Sequence, residues 1–351
     1  MVLPISLATR HGEKKMIRKL WVAVQGCLLI WLALLADIGA MALPVYSQER
    51  VVAAYGGISG QQAPLWLASD LGLFRKYGID LESVFIGGGA TRTAAISAGE
   101  IQFGVDSAVS PITSSVLGAD VTVVATYYNK NPWVFIARPE IRTPQDLKGK
   151  KIGVISIGAS NHMSVASALR HWRIDERSVT ILRAGGSAER FVAMQKGMID
   201  ATVVTAQDIG RARKAGLRVL LELADTGEAY PTASIVTTKR MVASKRAVVK
   251  QFLKGISEGV YVFRSDREKA IKTLEKWMKT QDKDLLEEAY QSHAPKMNFP
   301  PFTDLSGVQS VLDFLSRTRS EAKKKKPQDF VDEEILKELE TEGFFKTIAS
   351  R

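Results

Sequence analysis

The chain has 351 residues, 46% of them hydrophobic and 24% charged, with a formal net charge of +11 and one cysteine. That is ample for a packed core and fits two domains of ordinary size, and a single cysteine excludes a disulfide framework. Five basic and two acidic side chains in the first 42 residues leave +8 for the remainder; the basic residues are scattered and carry no nucleic-acid motif, so nucleic acid is not expected as a partner.

Arg10, Lys14, Lys15, Arg18 and Lys19 form a basic region at the N-terminus. WVAVQGCLLIWLALLA (21–36) is apolar throughout, and Ala40 and Ala42 supply a cleavage site of the A-x-A kind. The pattern predicts a cleaved signal peptide over residues 1–42 and a mature protein in the periplasm. The apolar core of 16 residues is short of the roughly 20 that span a bilayer, which leaves a retained anchor as the alternative. VQGC (24–27) does not serve as a lipoprotein box, because most of the apolar stretch follows Cys27 instead of preceding it. Cleavage after Ala42 removes Cys27, so no thiolate nucleophile or cysteine metal site is expected. After residue 50 no apolar run is long enough to span a bilayer.

From residue 50 strands and helices alternate. Strand-like runs are VVAAY (51–55), LESVFI (81–86), IQFGV (101–105), VTVVAT (121–126) and WVFIA (133–137), with helix-like stretches between them such as PLWLASDLGLFRKYG (64–78). A second series follows Leu147–Lys150: KIGVIS (151–156), the helix SNHMSVASALRHW (160–172), SVTILR (178–183), IDATVVT (199–205) and LRVLLEL (217–223). ASIVTTK (233–239) is expected to return the chain to the first lobe, and from Lys245 the pattern is helical to the end. This is the α/β signature of mostly parallel sheets with crossover helices. The expected division is lobe one over 50–136 and 236–351, and lobe two over 137–235.

The two series share an echo. GGGATRTAAISAGEIQFGVDS (87–107) aligns without a gap on GGSAERFVAMQKGMIDATVVT (185–205), with identities at Gly87/Gly185, Gly88/Gly186, Ala90/Ala188, Arg92/Arg190, Ala95/Ala193, Gly99/Gly197, Ile101/Ile199 and Val105/Val203. One supersecondary unit built twice, with a ligand between two related lobes, is the economical reading. The glycines do not form a dinucleotide fingerprint, since Arg92 stands where the third glycine belongs, and no Gly-Lys-Ser/Thr follows for a P-loop. They let the chain turn tightly and bring a helix N-terminus to the sheet edge.

In open α/β sheets ligands bind beyond the C-terminal ends of strands. The turns there are Gly56–Gln61 and Asp106–Ala108 in the first series, and Ser156–Asn161 and Thr205–Gln207 in the second. All are built of small, hydroxyl and amide residues. Each has a structural alternative: Ser160 and Asn161 are ordinary N-caps, Pro64 explains a helix start after Gln61, and the Gly88–Thr91 turn can be purely structural. Tyr127, Tyr128, Asn129 and Trp133 fall near the crossing between lobes, where packed hinge residues and cleft aromatics are equally expected. His162 can face the cleft or solvent; His171 and His293 have no partners at metal-ligand spacing, so neither a metal nor a cofactor is expected. Lys323–Lys326 is expected to be a solvated loop. No Ser-His-Asp context and no G-x-S-x-G elbow is present.

APLWLASDLGLFRKYGIDLESVFIGGG (63–89), AISAGEIQFGVDS (95–107), PQDLKGKKIGV (144–154) and KGMIDATVV (196–204) together carry a resemblance. The chain resembles the solute-binding proteins of ABC importers in the sulfonate, taurine, nitrate and thiamine-precursor group, with the type II periplasmic binding fold. The resemblance implies two Rossmann-like lobes joined by two hinge crossings, a small polar or anionic ligand captured between them, delivery to an ABC-type membrane permease, and no catalysis. It maps ligand contacts onto Ser59, Gly60, Gln61, Gly88, Gly89, Thr91, Ser107, Ala159, Ser160, Asn161, Thr205 and Gln207, to which the crossing adds Tyr127. Ala159 stands where relatives that grip a sulfonate often have a hydroxyl. A monomer is expected. Two rivals remain: an enzyme like the yeast-type pyrimidine synthases, which rely on a cysteine-rich motif and histidines, and a sensory binding protein that docks to a receptor.

Overall fold

The computed structural model describes residues 48–350 and, before them, Trp21 alone, which is helical and exposed. The expected signal peptide otherwise lies outside the described residues. Contacts divide the chain into residues 1–47 and 48–351, and the second unit holds the strands and helices that follow. Among the described residues no helix is long and apolar enough to cross a membrane.

The first series runs β1 (Glu49–Tyr55), α1 (Ala63–Asp70), α2 (Leu73–Lys76), β2 (Ile79–Phe85), α3 (Gly89–Ala98), β3 (Phe103–Asp106), α4 (Val109–Val116) and β4 (Thr122–Lys130). The single helix expected over 64–78 is two, because Gly72 adopts a left-handed φ of 66° between them. The second series is β5 (Trp133–Ala137), β6 (Lys151–Val154), α5 (Ser160–His171), β7 (Thr180–Arg183), α6 (Ser187–Gln195), β8 (Ala201–Thr205), α7 (Ile209–Lys214) and β9 (Arg218–Glu222). Then come β10 (Ala229–Thr237), α8 (Lys239–Ser244), α9 (Arg246–Ser265), α10 (Arg267–Met278), α11 (Lys283–His293), α12 (Leu305–Ser316), α13 (Glu334–Thr341) and α14 (Phe344–Ala349).

Two five-stranded sheets result, ordered β2-β1-β3-β10-β4 and β7-β6-β8-β5-β9. Each has three parallel strands, β2-β1-β3 or β7-β6-β8. In fourth place stands one antiparallel strand, β10 or β5. That strand arrives from the other lobe, so the sheets are mixed and the chain crosses twice. The sheets put β5 (133–137) with lobe two and β10 (229–237) with lobe one, where the expected division had 133–136 in lobe one and 229–235 in lobe two. WVFIA is apolar throughout and fits either sheet; its partners β8 and β9 decide its lobe, and periodicity does not encode partners.

The echo occupies the same place in each sheet: 87–107 ends with α3 and β3, 185–205 with α6 and β8. Gly99 (φ 80°) and Gly197 (φ 68°) both take left-handed backbone just after the helix. Register extends the match to the first strands. Tyr55 pairs with Phe85 and Val154 with Arg183, while Ala53 pairs with Phe103 and Ile152 with Ala201. In the loops that follow, Ile58 therefore corresponds to Ile157, Gln61 to Ser160 and Gln62 to Asn161.

Apolar residues fill both faces of each sheet. On sheet one, α1 and α9 cover one face, where Phe103 stacks on Phe252 at 3.9 Å. The other face takes α3, α4 and α12, and also Met163 and Ala166 from α5 of lobe two. Outside the cleft the lobes thus share apolar contact through α5 and α12.

Candidate ligand-binding site

The loops beyond the strand ends of lobe one are organised by a buried charge pair. Arg92, in the second turn of α3, donates from Nη1 to the Ile86 carbonyl (2.6 Å) and from Nη2 to Asp106 Oδ1 (2.5 Å), which also accepts the Ser107 N–H (2.7 Å). Both side chains are buried. Burial pushes the Asp106 carboxyl up and Arg92 draws it part of the way back. The guanidinium lies so close over Gly56 that a Cβ there would fall 1.8 Å from Nη1. Gly89 has a similar reason: a Cβ would meet Ser110 Oγ at 2.5 Å and Asp106 Oδ2 at 3.1 Å, so the start of α3 is pressed onto the start of α4.

At the other turn, Ser59 is buried and caps no backbone N–H. Gln62 is 1% exposed and its Oε1 has no protein partner. Two expected contacts have structural duties here. Gly60 faces α11, where a Cβ would come 2.4 Å from the Ala289 carbonyl and 2.7 Å from His293 Nδ1. Tyr127 is fully buried in the lobe-one core, which pushes its phenol to ionise far above its ordinary range, and it donates its hydroxyl to the Gln61 carbonyl at 2.8 Å. It supports the turn from beneath. Thr91 is exposed in the first turn of α3, and Gly88 supplies a left-handed φ of 82° before that helix.

In lobe two, Ala159 precedes α5 as its N-cap, so no side-chain cap competes there. Asn161 is 1% exposed, and neither its Oδ1 nor its Nδ2 has a protein partner. Ser160 pairs with Tyr230 of β10: the Tyr230 hydroxyl donates to the Ser160 carbonyl (2.9 Å) and lies 2.7 Å from Ser160 Oγ. Burial pushes the Tyr230 phenol up to about 12, while hydrogen bonds to Ser160, Ser164 and Ser107 draw it down. Tyr230, on β10 of sheet one, therefore ties Ser160 of lobe two to lobe one. Thr205 and Ser187 both donate to Asp208 Oδ2, each at 3.1 Å. Arg190, the counterpart of Arg92, is buried and donates to the carbonyls of Gly185 (2.6 Å) and Val203 (3.1 Å). Desolvation lowers its pKa, opposed by Asp208 and Glu189. Gln207 lies in the short turn before α7, and its side chain is outside the described residues.

The structure thus gathers Ser107, Ser160 and Tyr230, and sets Asn161 beside them at the start of α5. Sequence reasoning missed Gln62, Asp208 and Tyr230, and named Asp106 only as part of a turn. Arg92 and Arg190 had a signal, their coincidence in the echo. His162 faces neither cleft nor solvent. Its Nδ1 accepts the Gly158 N–H (2.8 Å), its Nε2 meets Glu176 (3.2 Å), and its ring meets Phe314 of α12 edge-on (5.3 Å). Glu176 also accepts from Arg317 of lobe one at 2.8 Å. Lys323–Lys326 is exposed, as expected.

A family model described as NMT1/THI5 like matches residues 59–270, from the Ser59 turn into α10. The chain belongs to the NMT1/THI5-like family. This NMT1/THI5-like chain is similar to a Brucella abortus protein with a provisional binding-protein name, 25% identical over 230 residues that cover 64% of this chain and 70% of that one. It is similar over a shorter stretch to 4-amino-5-hydroxymethyl-2-methylpyrimidine phosphate synthase of Saccharomyces cerevisiae, 24% identical over 144 residues, 40% of this chain and 41% of that one. Among solved structures, the periplasmic aliphatic sulphonate binding protein SsuA of Escherichia coli matches with a TM-score of 0.68 and 21% identity, covering 81% of this chain and 92% of that one. The architecture of this NMT1/THI5-like chain is therefore the periplasmic-binding-protein fold with two mixed sheets.

Proposed function

We propose that the chain is an exported solute-binding protein that captures one small polar molecule between its lobes and hands it, unaltered, to an ABC-type permease. Lobe one comprises residues 48–130 and 229–350, and lobe two lies between the crossings. The observation that carries the reading is Asn161: a fully buried amide in the first turn of α5, unpaired within the protein, next to the serine that Tyr230 of β10 links to lobe one. Burying such a group without a partner costs about 1–3 kcal/mol, and a ligand that pairs it recovers that cost on binding. A ligand touching both lobes favours their closed arrangement, and hinge opening releases it.

The binding-protein names among the relatives and neighbours support this reading. The yeast synthase keeps an enzymatic alternative in view. Against it, the chain has one cysteine, Cys27, in the segment proposed to be removed, and four histidines. Of these, His293 is buried and neutral, and His162 is engaged between the lobes. The test is calorimetric titration of the purified protein with sulfonates, nitrate, pyrimidines, flavins and aromatic acids, followed by mass spectrometry of the recovered compound. Saturable one-to-one binding with the compound unchanged supports capture; its conversion to a new mass overturns it in favour of an enzyme.

A further inference from the structure

Building on the capture reading, we infer that the cleft selects a neutral ligand carrying hydrogen-bond donors beside acceptors, of the carboxamide or urea kind, and discriminates against simple anions. The selecting residues are Gln62 and Asn161. They occupy corresponding positions of the two lobes, each in the loop-to-helix turn after the first strand. Both are amides, and both are 1% exposed. Gln62 leaves Oε1 unspent, and Asn161 leaves both Oδ1 and Nδ2. Buried amide atoms are nearly always paired, so unspent ones in matching turns mark what the ligand supplies.

The remaining atoms support the same class. In the two turns themselves the buried side-chain atoms with no protein partner are the acceptors Gln62 Oε1 and Asn161 Oδ1 and the donor Asn161 Nδ2. Acceptors and a donor stand there together, which suits a ligand offering both. A tetrahedral or planar anion offers acceptors alone and would leave the acceptors of the site facing its oxygens.

Charge argues the same way. Arg92 is neutralised by Asp106, and Arg190 has Asp208 and Glu189 as its nearest opposite charges. The hydroxyls of Ser187 and Thr205, which could have gripped an oxyanion, donate to Asp208, and Ser160 is engaged by Tyr230. Where α11 of lobe one faces lobe two, Glu288 lies near Asp208 and Glu222, with Arg213 as the compensating cation. Arg92, Arg190 and Arg213 each have a carboxylate close by, and a buried ion without a counter-charge pays a large desolvation cost.

The experiment is calorimetric titration of the full chain, stripped of carried-over ligand by unfolding and refolding, with two sets of named probes. Hydantoin, nicotinamide and allantoin are the neutral set; ethanesulfonate, nitrate and benzoate are the anionic set. At least one neutral probe is expected to bind at least tenfold more tightly than every anion. Asn161→Leu and Gln62→Leu are each expected to weaken that probe at least tenfold, with a melting temperature equal to or above that of the parent. An anion that binds as tightly as the best neutral probe overturns the selectivity while leaving capture intact. Silence from both sets overturns the selectivity as well, and capture then stands or falls by the wider panel above. Loss of the fold in Asn161→Leu, checked by circular dichroism, moves the binding comparison to Gln62→Leu, where an unchanged affinity for that probe overturns the inference.

Discussion

Asn161→Leu is expected to stabilise the ligand-free protein. The side chain is 1% exposed on the helical face that also carries Val165 and Ala168 into the lobe-two core, and neither amide atom has a protein partner. Leaving a buried polar group unpaired costs about 1–3 kcal/mol, and an apolar group of the same shape removes that cost. Leucine shares asparagine's branched shape, with bulkier methyl groups in place of the amide atoms, and has the higher helix propensity, a smaller gain in the same direction. A net stabilisation of about 1–3 kcal/mol raises the melting temperature by roughly 2–4 °C per kcal/mol in a domain of 150–250 residues, and somewhat less in a larger one. The assay is urea unfolding at constant slope, run on ligand-stripped protein beside the parent. A loss of about 1 kcal/mol or more in Asn161→Leu would refute the reasoning, because it would mean that the amide serves the fold. Stability gained where binding is lost is the expected mark of a residue kept for its ligand.

Other outcomes follow from the same packing. His293 is buried, hydrogen-bonded through Nδ1 to the Ala289 carbonyl, and flanked by Lys296; burial lowers its pKa from 6.5 to about 4. Above 6.5 it is neutral folded or unfolded, and its contribution is complete; as the pH falls from 6.5 through 4 the unfolded chain takes the proton first, so up to about 3 kcal/mol is lost. His293→Gln should flatten that part of the stability–pH curve measured by urea unfolding, and an unchanged slope contradicts the assignment. Asp106→Leu strands Arg92 and should cost about 3–5 kcal/mol, whereas Arg92→Met with Asp106→Leu together should cost much less, a difference a double-mutant cycle reads. Gly60→Ala drives a methyl into the Ala289 carbonyl and should cost about 1–3 kcal/mol in the unfolding midpoint. Arg317→Ala removes a half-exposed link between lobes and should weaken ligand binding by no more than about fivefold.

Much of the frame was legible because its signals are local. Apolar runs and glycine punctuation located the strands, and the ungapped echo placed α3–β3 and α6–β8 as equivalent units, down to the left-handed glycines at 99 and 197. Of the crossing strands, β10 was legible as the return to lobe one, while the other was not. β5 carries a pattern that suits either sheet, and only pairing with β8 and β9 assigns it. The site was legible at the level of turns but not of side chains. Ser160 and Asn161 stood out as polar residues at a helix start, yet so did Gly60 and Gln61, and the distinction depends on α11 and Tyr127 arriving from distant parts of the chain. Tyr230 sits in a crossing strand whose partners are non-local, and the next residue after the expected contact Gln61, Gln62, is singled out only by what its side chain lacks.

The most direct measurement is a crystal structure of the protein grown with whichever panel compound binds. One unaltered molecule contacting Gln62 of lobe one and Asn161 of lobe two at once is the predicted result. A compound held by a single lobe, or found chemically changed, would contradict capture between the two.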